Sequence, residues 1–133
     1  MLQRVHDGSA NVPPGYSHGV IAPSGRQLFV SGQVALGDGG ELVGVGDFLA
    51  QAHQVFRNIG KVLGEAGAGY SDIAKITAFF TDLESDIGCF REVRAEYLNP
   101  ACAPASSAVE VVKLVPSGVL LEVECVAWLP ERR

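Results

Sequence analysis

Glu122 and Glu124 are the residues whose placement first suggests chemistry. They lie in the run from Val119 to Trp128, VLLEVECVAW. Read as a strand, that run puts Val119, Leu121, Val123, Cys125 and Ala127 on one face. Leu120, Glu122, Glu124, Val126 and Trp128 share the other. A solvated face is rarely so apolar, and a core face rarely holds two carboxylates. The odd face is therefore the predicted core, and the even face is expected in a partly wet cleft or contact. Partial burial beside Leu120, with Glu124 roughly 7 Å along the strand, would raise the pKa of Glu122 toward values useful for moving protons. The alternative is a glutamate in an ion pair between subunits; Glu124 and Glu110 read as structural, pairing with Lys or Arg.

Other side chains could join it. Tyr16 follows Pro13-Pro14-Gly15, where a phenol can stack on a planar ligand, donate a hydrogen bond, or simply pack. Ser31 and Gln33 end an apolar run around Gly32 and could meet a ligand or bond only within their turn. Ser106 and Ser107 open another run, as ligand contacts or cross-strand partners. Cys102 sits in a Pro-flanked loop, where it reads as a reactive thiol at a cleft mouth or as an inert one. His6, His18 and His53 form no metal-ligand spacing, and the three cysteines are odd in number with no CxxC. No Ser-His-Asp set, phosphate loop or dinucleotide fingerprint is present.

The elements that would position these groups are legible. Asp47 reads as the N-cap of a helix reaching about Gly67, with a stripe of Phe48, Leu49, Ala52, Val55, Phe56, Ile59, Val62, Leu63 and Ala66. A second helix spans about 84–98, with Ile87, Phe90, Val93, Tyr97 and Leu98 inward, and Asn99-Pro100 ends it. A strand fits 74–81, and a short leading strand fits residues 2–7. Pro23-Ser24-Gly25 and Pro116-Ser117-Gly118 each read as the turn of an antiparallel hairpin. Residues 32–46, rich in glycine, form a long irregular connection. The order ββ(β)–α–β–α–ββ predicts an α+β two-layer sandwich, one domain over residues 1–133, with both helices on one face of a mixed sheet of about six strands. The other face, carrying Val126 and Trp128, is too apolar to stay wet, so self-association is expected.

Composition narrows the function. Apolar residues make up 47% of the 133-residue chain, mean hydropathy is +0.21, and the net charge is −5. There is no basic stripe for nucleic acid. No apolar run reaches the roughly 20 residues that span a bilayer, and the N-terminus lacks a signal-like segment. A reducing cytoplasm is the simplest expectation.

Five segments in register carry a resemblance: Gly15-Tyr16-Ser17-His18, Phe29-Val30-Ser31-Gly32-Gln33, the helix from Gln51 to Gly67, Ala105–Val111 (ASSAVEV) and Leu121–Ala127 (LEVECVA). Together the chain resembles the RidA/YjgF (L-PSP) family from about residue 12 to 130. The resemblance implies a chorismate-mutase-like fold and a homotrimer with clefts between subunits. It also implies cofactor-free hydrolysis of small enamines and imines, such as 2-aminoacrylate and 2-iminopropanoate, to keto acids and ammonia. It assigns Tyr16 to the cleft, Ser31 to the SGQ motif and Glu122 to orienting water. One position departs: where imino-acid-hydrolysing members carry an arginine that grips the substrate carboxylate, this chain has Ser106, and a hydroxyl cannot supply bidentate pairing. A helix position often asparagine in the family is Arg91, which either provides the cation instead or is a solvated side chain. Two readings follow: an enamine or imine deaminase with a rebuilt anion contact, or a non-catalytic trimer that binds a small ligand or regulates a partner. Ribonuclease activity fits poorly with the acidic charge balance.

Overall fold

The computed structural model describes residues 1–10 and 12–129; Asn11, within the predicted loop before Tyr16, lies outside the described residues. The elements are β1 (Gln3–Val5), β2 (Gly19–Ile21), β3 (Arg26–Gln33), α1 (Phe48–Glu65), β4 (Ile73–Phe80), α2 (Leu83–Tyr97), β5 (Ala105–Glu110) and β6 (Leu121–Leu129). Four strands form one sheet in the order β3-β6-β4-β5, while β1 and β2 form a small antiparallel ribbon. A bridge between Ser17, just before β2, and Ala105, together with hydrogen bonds from Arg4 of β1 to the Cys102 and Ala103 carbonyls, ties ribbon to sheet. The six strands and two helices give the predicted α+β architecture.

α1 begins where Asp47 accepts a hydrogen bond from the Ala50 amide at 3.1 Å, as the sequence predicts. It ends in a Schellman motif. Gly67 takes φ +74°, and the amides of Gly67 and Ala68 bond to the carbonyls of Gly64 and Leu63. Its buried stripe is Phe48, Ala52, Val55, Phe56, Ile59 and Leu63, together with Gln51. Leu49, placed in that stripe by sequence, is 52% exposed, because it sits one position round from Phe48 and faces away from the sheet. α2 starts at Asp82, which accepts from the Ser85 amide, and Glu110 adds a bond from the Leu83 amide. Glu110 thus serves as a helix-capping group, and among the described residues it makes no ion pair with the Lys or Arg expected from sequence.

Both predicted hairpins are corrected. β5 and β6 flank Pro116-Ser117-Gly118 but do not pair; β4 lies between them, parallel to β5 and antiparallel to β6. Residues 111–120 are too long a connection for a tight hairpin, and they step across a strand. β2 pairs with β1 and β3 with β6, so Pro23-Ser24-Gly25 joins two different sheets. That turn instead folds over Trp128, whose indole N–H donates to the Pro23 carbonyl at 2.9 Å. Trp128 is 8% exposed and forms no open apolar patch, contrary to expectation.

The alternation along β6 holds. Val119, Leu121, Val123, Cys125 and Ala127 are buried under the helices with Ile76, Ala78 and Phe80 of β4. Burial and nearby Glu124 push the Cys125 thiol up to about 12, which leaves it inert. On the opposite face Phe29 is 71% exposed, beside half-buried Val126 and exposed Glu124.

Candidate functional site

Tyr16 is positioned by its neighbour. Ser17 is buried, its amide donating to the Pro104 carbonyl at 2.9 Å and its hydroxyl to the Ala103 carbonyl at 2.7 Å. These two bonds stitch the loop after Pro13-Pro14-Gly15 to the start of β5. Tyr16 then lines a hollow of about 210 Å³ with Ile87, Arg91, Arg94, Ser106 and Ala108. Ser106 reaches this hollow because it pairs with buried Ile76 and so shares the helix-side face of the sheet. His18 stands edge-on to the Tyr16 ring, 6.5 Å between centroids, and its Nδ1 accepts the Asp7 amide at 2.9 Å.

Arg94 was not singled out by sequence, and it is the most unusual residue of the site. It is 7% exposed, near the C-terminal end of α2, where a cation also complements the helix dipole. Its guanidinium lies 5.5 Å over the Phe90 ring, and Nη2 donates to the Pro14 carbonyl at 3.4 Å. Burial, then the neighbouring Arg91 charge, holds its pKa below the usual arginine value. Gly15 makes this fit possible: φ is +77°, and a Cβ there would stand 2.7 Å from Nη2. A readable signal existed. Arg94 sits four residues after Phe90 and seven after Ile87, on the core stripe itself.

Arg91 is exposed and borders the same hollow. Both arginines also border an adjoining hollow of about 340 Å³, otherwise lined by Pro14, Gly15, Ala95, Leu98 and Pro100.

A second group lies elsewhere on the chain. β3 has a bulge between Val30 and Gln33, and the bulged Gly32 rests against the Glu122 carboxylate, where a Cβ would stand 2.5 Å from Oε2. Glu122 is half-buried, and burial, then Glu124, raises its pKa as expected from sequence. Ser31 is exposed at the bulge, and the Gln33 side-chain amide donates to the Ser31 carbonyl at 3.0 Å, closing a local turn.

Of the sequence-predicted candidates, Tyr16, Ser106 and Arg91 share one hollow, and Glu122, Ser31 and Gln33 cluster about the bulge. The two groups occupy opposite faces of the sheet. Ser107 faces away from Ser106 and accepts a hydrogen bond from Lys75 at 2.9 Å. Cys102 is not at the mouth of the Tyr16 hollow. It lines a different one with Met1, Leu2, Arg4, Ser71, Asp72 and Trp128, held where Arg4 donates to its carbonyl. Among the described residues, no group of three or more His, Cys, Asp and Glu side chains converges as a metal set, and no helix is long and apolar enough to cross a membrane.

Comparison with known proteins fits this geometry. The sequence model of the family described as Endoribonuclease L-PSP matches residues 9–129. A RutC family protein of Synechocystis is 39% identical over 130 residues, 97% of this chain and 98% of that protein. The mouse protein named 2-iminobutanoate/2-iminopropanoate deaminase is 33% identical over 103 residues, covering 77% of this chain and 73% of its own. A Rid-family protein of unknown function from Yersinia pestis superposes with a TM-score of 0.86 at 33% identity, covering 96% of this chain and 98% of that one. The chain therefore belongs to the RidA/YjgF family of L-PSP proteins.

Proposed function

We propose that this chain, one domain over residues 1–133, hydrolyses a small reactive enamine or imine to a carbonyl compound and ammonia, in clefts between the copies of a homotrimer. The observation that carries the reading is Glu122, a half-buried carboxylate with a raised pKa lying against a glycine bulge. Such a group can take a proton from water and return it within one turnover. Water directed by Glu122 adds its oxygen to the C=N carbon. The proton shifts to nitrogen, and the tetrahedral carbinolamine collapses to C=O with loss of ammonia. An enamine first takes a proton on carbon to become the imine. Tyr16 stacks on or bonds to the planar substrate, and Ser31 borders the attacking water. A mouse relative bearing the name of an imine deaminase supports the same chemistry.

The geometry supports the proposed oligomer. One copy carries Tyr16 with Ser106 and Glu122 with Ser31 on opposite faces of its sheet, so one pocket using both groups needs a neighbouring copy. The exposed Phe29, beside Val126 on the Glu122 face, is apolar surface that such a neighbour would cover.

Ammonia release from imines generated in situ tests the reading. Glu122→Gln is expected to slow hydrolysis by about 100-fold, at the low end for a general acid–base group. A monomer in solution scattering with full activity would overturn the inter-subunit site. Ser106 favours a second reading, a trimer that binds a small ligand or regulates a partner without catalysis. Silence on charged and neutral imines alike, with a ligand-induced rise in Tm, would select it.

A further inference from the structure

We propose that Arg94 and Arg91 grip the acidic group of a small organic acid while the adjoining apolar hollow takes that acid's carbon chain. The inference takes only the nature of the reacting bond from the deaminase reading; the binding claim stands on its own observations.

Arg94 is a buried cation whose partners do not balance it. A guanidinium offers five N–H donors, and burying a charge unpaired is strongly unfavourable. Among the described residues it makes one long bond, to the Pro14 carbonyl, and the ion pairs found there involve other residues. No buried side-chain nitrogen or oxygen among those residues lacks a partner. Its remaining N–H groups are therefore not sealed in protein but open to the hollows that Arg94 borders. Such a fork, facing a hollow with no carboxylate on its wall, is the complement of an anion that the protein does not supply.

The surroundings sharpen the class of ligand. Arg91 sets a second guanidinium on the rim, near enough to Arg94 for the two charges to repel. An acid bound between them relieves that repulsion. Ser106 on the opposite wall leaves room where an arginine would have filled it. The hollow of about 340 Å³ beyond the pair has Pro14, Ala95, Leu98 and Pro100 as its walls, so it suits a chain of several carbons and not a second charge. The preferred ligand is then a medium-chain acid with its reactive carbon next to the acidic group. Very short acids would leave the apolar hollow empty.

The test is titration calorimetry of the intact protein with 2-oxohexanoate, 2-oxobutanoate and uncharged hexan-2-one. The six-carbon acid should bind tightest. Arg94→Gln should weaken its binding at least about 10-fold, the loss of a hydrogen-bonded charge, and Arg91→Gln a few-fold; neither should alter hexan-2-one. Arg94→Lys, which keeps the charge without the fork, should recover part of the loss. Equal binding of acid and ketone by the wild-type protein would refute the clamp even if Arg94→Gln failed to fold. Unchanged acid binding by a folded Arg94→Gln protein would do so too. Equal affinity for the two acids would remove the apolar half of the proposal. Charge-blind binding together with ammonia release from neutral imines would sink the clamp and spare the deaminase. Arginine-dependent binding without any ammonia release would do the reverse.

Discussion

Two of the polar side chains buried in this protein, one on each helix, are treated in opposite ways. Gln51 of α1 is wholly buried and completely used. Its amide donates to the carbonyls of Gly44 and Gly118 at 3.1 and 3.0 Å, and its oxygen accepts the Leu120 amide at 2.9 Å. It pins two loops to the helix and leaves nothing over. Arg94 of α2 is nearly as buried, yet its one bond to protein is long and the rest of its fork faces a hollow. A buried group whose bonds are all made within the protein holds a fold together; under the proposed clamp, a fork left open to a hollow is available to a ligand.

The contrast can be broken most forcefully at Gln51. Gln51→Leu strands two carbonyls and an amide without partners, and at about 1 kcal/mol or more for each the expected loss is about 3 kcal/mol. In calorimetry this should lower Tm by roughly 10 °C; a drop under about 2 °C would mean that water or neighbouring groups replace the side chain. Arg94→Met should behave differently. Methionine keeps the packing stem and removes a desolvated charge, so Tm should stay level or rise by the equivalent of about 1 kcal/mol. A fall as deep as that of Gln51→Leu would make Arg94 structural and erase the comparison.

The smallest effect is that of Glu122 with pH. Its folded pKa lies above the ordinary glutamate value, so the fold prefers the protonated form. That contribution is fully present below the ordinary pKa, near 4.3, and is lost as pH rises through the raised one. Wild-type Tm should therefore fall slightly relative to Glu122→Gln between about pH 4 and pH 7. Parallel curves would indicate that the carboxylate is better hydrated than its setting against Gly32 suggests.

Much of this was legible in the chain. Periodicity located both helices to within a residue or two, Asp47 capped as read, and the alternation along 119–127 separated core from open face. The raised pKa of Glu122 followed from its apolar neighbours and the like charge of Glu124. Strand pairing was not legible, because two flanking runs and a turn signal say nothing of a third strand inserted between them. Cys102 was misplaced for a related reason: its position is set by Arg4, 98 residues away. Arg94 was overlooked because a charge on an apolar stripe reads as a gap in the pattern, although the stripe itself pointed to that position.

β5 runs parallel to β4, so α2 is the crossover that connects them, and the chain passes from one wall of the hollow to the other without leaving this unit. Ile87, Arg91 and Arg94 come from the helix, and Ser106 and Ala108 from the strand that follows. Under the proposed clamp, most residues that would face the ligand come from one stretch of some twenty residues, with Pro14 and Tyr16 added from the loop before β2, and all lie apart from the bulge that holds Glu122. Under the proposed roles, the carboxylate that directs water and the residues that choose the acid are separate modules, so substitutions on α2 and β5 should change which acid binds while leaving the Glu122 bulge unaltered.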